Sequence, residues 1–247
     1  MRNLVAAVVV GISLLPSPAR AWNDLTHMAV MEAAGLGDYS YLAAGPDMAK
    51  EKAGGHEDGN HYRDNPKGTV VTADMVLDQV RDYNCRCNGE GHLYGAIVAA
   101  LHDYRQARDQ GKYARYPRGY ASHYIADLSM PLHNTTYDDF NRAHHAENDG
   151  VVERGVTGST RGRVDRIAAE IRGRMKRLAP YRLPAARDGM ARFDKELAAR
   201  IAKLANRSMA LGYRMEERAQ AVMTSEEAYG QLAESALLLK EAYRALQ

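Results

Sequence analysis

His123 and Asp127 stand four residues apart in an apolar stretch, Gly119-Tyr-Ala-Ser-His-Tyr-Ile-Ala-Asp-Leu. On a helix that spacing puts imidazole and carboxylate on one face, one turn apart, where both can bind the same ion. His145 and Asp149 repeat the spacing, and His133 lies between the two pairs, just after Pro131. Imidazole nitrogen and carboxylate oxygen are good zinc ligands where thiolate is absent, and several must converge before an ion gives up its water. One such pair is an ordinary helix-surface contact. Two pairs with a histidine between them point to metal.

The N-terminus adds a separate donor. Met1-Arg2-Asn3 is a short positive start, Leu4 to Leu15 carries no charge, and Ala19-Arg20-Ala21 is an A-x-A cleavage site. This is the plan of a secretory signal peptide over residues 1–21, too short to span a bilayer as a helix. Cleavage after Ala21 would leave a domain of residues 22–247, secreted or periplasmic, beginning at Trp22, the only tryptophan. A free α-amino group with a pKa near ~8 is easily deprotonated beside a cation, so its nitrogen and its own carbonyl can chelate a metal. His27 follows five residues on.

Trp22, His27, Asp47, His61, the run His123-Tyr-Ile-Ala-Asp127-Leu-Ser-Met-Pro-Leu-His133 and His145-x-x-x-Asp149 together resemble the trinuclear zinc phosphoesterases. These are the bacterial zinc-dependent phospholipases C and the single-strand nucleases of the S1/P1 type. The resemblance covers residues 22 to 153, and its most specific part is the His-x-x-x-Asp-x-x-x-x-Pro-x-His run; the later helices match only in general character.

Carried over residue by residue, the resemblance implies three zinc ions. Asp47, His61, His123 and Asp127 would hold the first, and His133, His145 and Asp149 the second. The Trp22 amine and carbonyl, with His27, would hold the third, and Asp127 would bridge the first and third. His56 and Asp58 lie in the same loop as Asp47 and are rival ligands. By analogy Asp47 is the candidate general base or water-orienting carboxylate; Asp64, three residues after His61, reads as a residue that holds an imidazole in its tautomer.

The expected activity is that of an exported zinc-dependent phosphodiester hydrolase, with phospholipase C the leading reading. The interval between His133 and His145 is short and contains no glycine, whereas the nuclease branch carries a longer segment with a Gly-Gly-Asn sequence there. Met48 follows Asp47, and Asp58 takes the place of another aromatic wall, so headgroup choice stays open. A single-strand nuclease is the alternative. A secreted zinc-binding helical protein without catalysis is the second. A phospholipid or other phosphodiester substrate and peripheral membrane contact follow from the first reading, which implies no protein partner.

These side chains need helices to position them, and the sequence supplies helical periods. Val164, Ile167, Ala168, Ile171, Met175 and Leu178 recur every three or four residues within 161–178, with Arg163, Arg166, Glu170, Arg174 and Arg177 on the other side. The same period appears near Ile97, Leu101 and Tyr104, from Phe193 to Leu204, and from Leu232 to Leu246, with a helix start at Ser225. Thr69 to Thr72 is a lone β-branched run, and 43–68 reads as a long functional loop. The fold class is a single all-α domain.

With 247 residues, 45% of them hydrophobic, the chain has ample length for a core, which excludes disorder. Without Arg2 and Arg20 the basic and acidic side chains are equal in number, so net charge gives no argument for a polyanionic partner. The arginines between Arg161 and Arg177 read as a solvated helix face. His56, His92, His102 and His144 fit no part of the pattern and read as surface or supporting residues. Cys85 and Cys87 are either a tight disulfide or two thiols.

Overall fold

The computed structural model describes residues 22–50, 56–87 and 89–247. The expected export signal, 1–21, lies outside the described residues. Nine α-helices occur among the described residues: α1 (Asp24–Ala33), α2 (Gly45–Lys50), α3 (Ala73–Asp78), α4 (Leu93–Asp109), α5 (Arg115–Asp127), α6 (Asp139–Asp149), α7 (Thr160–Met175), α8 (Met190–Glu217) and α9 (Ser225–Leu246). Short 3-10 turns at Ser40–Ala44, Asp58–Asn60 and Pro131–His133 carry or flank the predicted ligands. The described residues contain no strand, as the all-α reading expects.

The helices gather around α5. Pro117 is tolerated in its first turn, where the missing N–H has no helical partner to lose. From Ala121 to Asp127 every residue is buried, and α4, α9 and α1 pack against it. The last-turn carbonyls of a helix have no partner within the helix. Here side chains from distant segments supply them: Ser235 Oγ donates to Ile125 O at 2.7 Å, and Trp22 Nε1 to Ala126 O at 3.1 Å. The end of α5 that carries His123 and Asp127 is thereby clamped from two sides.

The periodic segments bury the predicted faces. α7 buries Val164, Ile167, Ala168 and Ile171, while Met175 and Leu178 are half-buried at its end. α9 buries Leu232, Leu238, Leu239 and Leu246, each worth about 1.5–3 kcal/mol of apolar burial. It starts on a capping box in which Thr224 Oγ1 accepts from Glu227 N and the Glu227 carboxylate accepts from Thr224 N. The helix starts at Ser225 as expected, with Thr224 as its cap.

One segment differs from its sequence reading. The stretch 43–68, read as loop, contains α2 and a 3-10 turn, and α2 carries Asp47. Thr69 to Thr72 forms no strand. Asn206 of α8 instead satisfies both main-chain groups of Val71, accepting from its N–H at 2.9 Å and donating to its carbonyl at 2.8 Å. A single amide side chain does there what a neighbouring strand would do.

Candidate metal centre

α5 presents His123 and Asp127 inward, both fully buried. The tautomer of His123 is set from behind: its Nδ1 lies 2.6 Å from Ala43 O, which can only accept, so Nδ1 carries the proton and Nε2 is bare. That contact depends on Gly119, where a Cβ would come within 2.7 Å of Leu42 O. Glycine lets the Ser40–Ala44 turn press onto α5 and deliver Ala43 to the imidazole.

His123 Nε2 then lies 3.1 Å from Asp127 Oδ2, 3.0 Å from His61 Nδ1 and 3.7 Å from Asp47 Oδ1. His27, from α1, stacks on the His123 ring at 3.6 Å between centroids and brings Nε2 to 3.4 Å from Asp127 Oδ1. The turn after Pro131 places His133 Nδ1 at 3.8 Å from the same Asp127 oxygen. On α6, His145 Nε2 lies 3.7 Å from Asp149 Oδ2, and His145 Nδ1 bonds Asn141 Oδ1 at 2.7 Å, leaving Nε2 free.

Three groups of ligand atoms result, the atoms of each within 4.8 Å of one another: Asp47, His61 and His123; His133, His145 and Asp149; His27, His123 and Asp127. The second matches the sequence expectation in full. In the first, both His61 and His123 also approach Asp127 Oδ2. In the third, His27 and Asp127 meet as expected, with His123 as the third side chain. Trp22 is fully buried beside Ala126, and Asn23 N donates to Asp149 O at 3.2 Å, so the segment reaches the end of α6 that carries a ligand.

These residues fit metal ions by a test independent of motif. Among the described residues, the buried atoms without a hydrogen-bond partner include His27 Nε2, Asp127 Oδ1, His133 Nδ1, His145 Nε2 and both carboxylate oxygens of Asp149. Leaving such atoms unpaired costs on the order of 1–3 kcal/mol each, more for a charged carboxylate. They point at one another rather than at donors. Cations within these groups would satisfy them.

Electrostatics agree. Burial pushes His27 down to about 3 and His123 and His145 down to about 4, and holds His61 and His133 well below the ordinary value. All five imidazoles are therefore neutral at pH 7, the form that binds metal. Burial raises Asp127 and Asp149 well above the usual carboxyl range, and neighbouring carboxylates, Asp47 for both and Asp127 for Asp149, add to it. Asp47 differs: burial pushes it up, but the nearby charges of His123 and Lys50 outweigh that and hold it at about 2.

The rival ligands separate cleanly. His56 is exposed with Nδ1 near Asn84 O, and Asp58 lines a cavity rather than joining a ligand group. His144 is half-exposed against the Phe140 ring, so His145 is the inward residue of the two. His102 pairs with Asp194 at 2.8 Å, and His92 Nε2 bonds Asn60 Oδ1 at 2.9 Å. Cys85 and Cys87 are joined as a disulfide.

Two residues escaped the sequence reading. Lys50, one turn after Asp47 on α2, brings Nζ to 2.8 Å from Asp47 Oδ1 and lines the cavity. Glu57, four residues before His61, is buried beside that ring. Asp64 was expected to hold an imidazole; its carboxyl instead accepts a Tyr137 backbone N–H and lines the cavity. The cavity, about 500 Å³, is bordered by His61, His133 and His145 on the metal side and by Lys50, Asp58 and Tyr137 elsewhere.

No family model and no curated protein matches the chain. Fold and site define an all-α protein with three buried His/Asp groups able to hold metal ions.

Proposed function

We propose that this protein is a zinc-dependent phosphodiester hydrolase, acting on phospholipids as a phospholipase C. One observation carries the reading: three of the converging ligand residues, His61, His133 and His145, border a cavity of about 500 Å³, while the others close the site from behind. A purely structural metal site is closed, with every coordination position taken by protein. Here His61, His133 and His145 form part of the cavity wall, which leaves room for water and a phosphate ester.

Asp47, His61, His123 and Asp127 would hold one zinc, His133, His145 and Asp149 a second, and His27 with Asp127 and the Trp22 amine and carbonyl the third. Bound zinc supplies a water of lowered pKa and a clamp for phosphoryl oxygens. The chain's own groups do the rest. Asp47, held ionised beside Lys50, is the candidate general base or water-orienting carboxylate. Lys50 Nζ, beside Asp47, neutralises a phosphoryl oxygen as negative charge builds. The Ala43 carbonyl keeps the His123 proton on Nδ1 throughout. Among the described residues no helix is long and apolar enough to cross a membrane, so a lipid would be met at the surface.

The test is metal content of the processed protein together with product release from phosphatidyl lipid vesicles and from single-stranded nucleic acid. Three zincs per chain and diacylglycerol, abolished by chelator and restored by zinc, are expected. Release of 5′-mononucleotides without diacylglycerol would reassign the enzyme as a nuclease. A fully metallated protein inert towards both would leave a zinc-binding protein without catalysis.

The proposed export signal makes a separate prediction. The mature chain should begin at Trp22, and a variant that retains one extra residue before it should lose one zinc and most of its activity. An added residue converts the amine into a peptide nitrogen, which has no lone pair to donate at neutral pH. N-terminal sequencing and metal analysis check both; an extended protein with full zinc would refute the terminal ligand.

A further inference from the structure

His61 has two ring nitrogens in two different surroundings. Nδ1 faces the ligands, 2.9 Å from Asp127 Oδ2 and 3.0 Å from His123 Nε2. Nε2 faces away from them, 3.4 Å from Glu57 Oε1. An imidazole that gives the Nδ1 lone pair to an ion keeps its proton on Nε2, where that proton needs an acceptor. Glu57 is the carboxylate in that place, and only 5% of it is exposed.

Glu57 is itself held. Tyr124 Oη donates to Glu57 Oε1, and Asn60 Nδ2 donates to Oε2 at 3.2 Å. Asn60 is fixed in turn: its Oδ1 lies 2.9 Å from His92 Nε2 and accepts the Asn84 N–H at 3.2 Å, while its Nδ2 donates to Asn84 Oδ1 at 2.7 Å. His92 packs tightly on the same turn, since a Cβ on Gly59 would come within 2.6 Å of its ring. The chain thus ties four polar side chains from separate segments into a bracket around one carboxylate. An ordinary surface acid needs no such bracket.

We propose that Glu57 is the positioning residue of the metal centre: its carboxylate takes the His61 Nε2 proton in a hydrogen bond, fixes that tautomer and strengthens Nδ1 as a donor to the ion. The proposal rests on the metal-centre reading and assigns to Glu57 the role that sequence gave to Asp64. The geometry implies an order of effects. Removing the charge of Glu57 weakens the site built on Asp47, His61 and His123, and leaves the site of His133, His145 and Asp149 intact.

Zinc affinity of the processed protein, titrated against a chromophoric chelator, tests this, with cobalt absorption as a second readout of ligand field. Glu57→Gln keeps the size and one acceptor oxygen but not the charge. About 10- to 100-fold weaker binding at one of the sites and a shifted cobalt spectrum are expected, the usual cost of losing an outer carboxylate. Asp64→Asn should leave zinc affinity unchanged. Tyr124→Phe, which removes one tie to Glu57, should weaken the same site by a smaller factor, and it decides the matter if Glu57→Gln fails to fold. Wild-type zinc affinity and cobalt spectrum in either folded Glu57→Gln or, failing that, Tyr124→Phe would overturn the role of Glu57 alone. A wild-type protein that takes up no zinc would overturn the metal centre and this role together.

Discussion

Asp127→Asn is expected to strip two zinc ions from the protein, where Asp149→Asn strips one. The two oxygens of Asp127 serve different neighbours. Oδ2 lies 2.9 Å from His61 Nδ1 and 3.1 Å from His123 Nε2, whereas Oδ1 lies 3.4 Å from His27 Nε2 and 3.8 Å from His133 Nδ1. A carboxylate so placed can donate to two ions at once; an asparagine offers one oxygen and turns an N–H group towards the other ion. Asp149, at the end of α6, is grouped only with His133 and His145. Activity should fall in both variants, by at least about 100-fold for Asp127→Asn, the loss expected when a single charge-stabilising contact is removed from a transition state. Metal analysis by mass spectrometry, with circular dichroism to confirm folding, distinguishes the two. Equal zinc loss in both would refute the bridging geometry.

Short-range spacing reveals some of the ligands and hides others. His123 with Asp127 and His145 with Asp149 were legible because an i, i+4 pair on a helix needs nothing else to meet. Glu57 and His61 have the same spacing, with the acid first, and Lys50 follows Asp47 by three; those signals were present but lay in a stretch read as loop. A polar, glycine-containing segment has no apolar period from which a helix can be inferred, so α2 was hidden until its contacts with α5 were known. Asp64 was credited with a contact to an imidazole on proximity along the chain alone. The turn that carries His61 directs the Asp64 carboxyl to Tyr137 N instead.

Other features depend on partners remote in sequence. The bond from Trp22 Nε1 to Ala126 O joins residues 104 positions apart, and no local pattern announces it. The absence of a strand at Thr69 to Thr72 is likewise set by Asn206 of α8, 135 residues beyond Val71. The all-α class, by contrast, follows from the apolar faces of α7, α8 and α9, which are long enough for the helical period to be counted and which bury the residues that period selects.

Removing zinc should destabilise the protein sharply and bind protons as it does so. Each ion held with free zinc at 1,000 times its dissociation constant adds about 4 kcal/mol to stability. A chain of this size shifts its melting point by about 2–4 °C per kcal/mol. Chelation should therefore lower the melting temperature by at least about 10 °C. The proton balance follows from burial. The five ligand histidines, all pushed below their ordinary value of 6.5, are already neutral at pH 7 and have no proton to exchange. Their contribution to stability is complete above 6.5 and is lost as pH falls from there towards about 4 and 3. Asp127 and Asp149 behave in the opposite sense. With folded values raised by burial, they favour the zinc-free fold below 3.8, and that contribution is lost as pH rises through the raised values. Zinc must displace whatever protons they hold, so uptake releases protons from carboxyls rather than from imidazoles, and affinity rises with pH until both are ionised. Titration calorimetry in buffers of different ionisation heat measures that release, and Asp149→Asn should reduce it. A melting temperature indifferent to chelator would mean that the buried carboxylates do not face an ion.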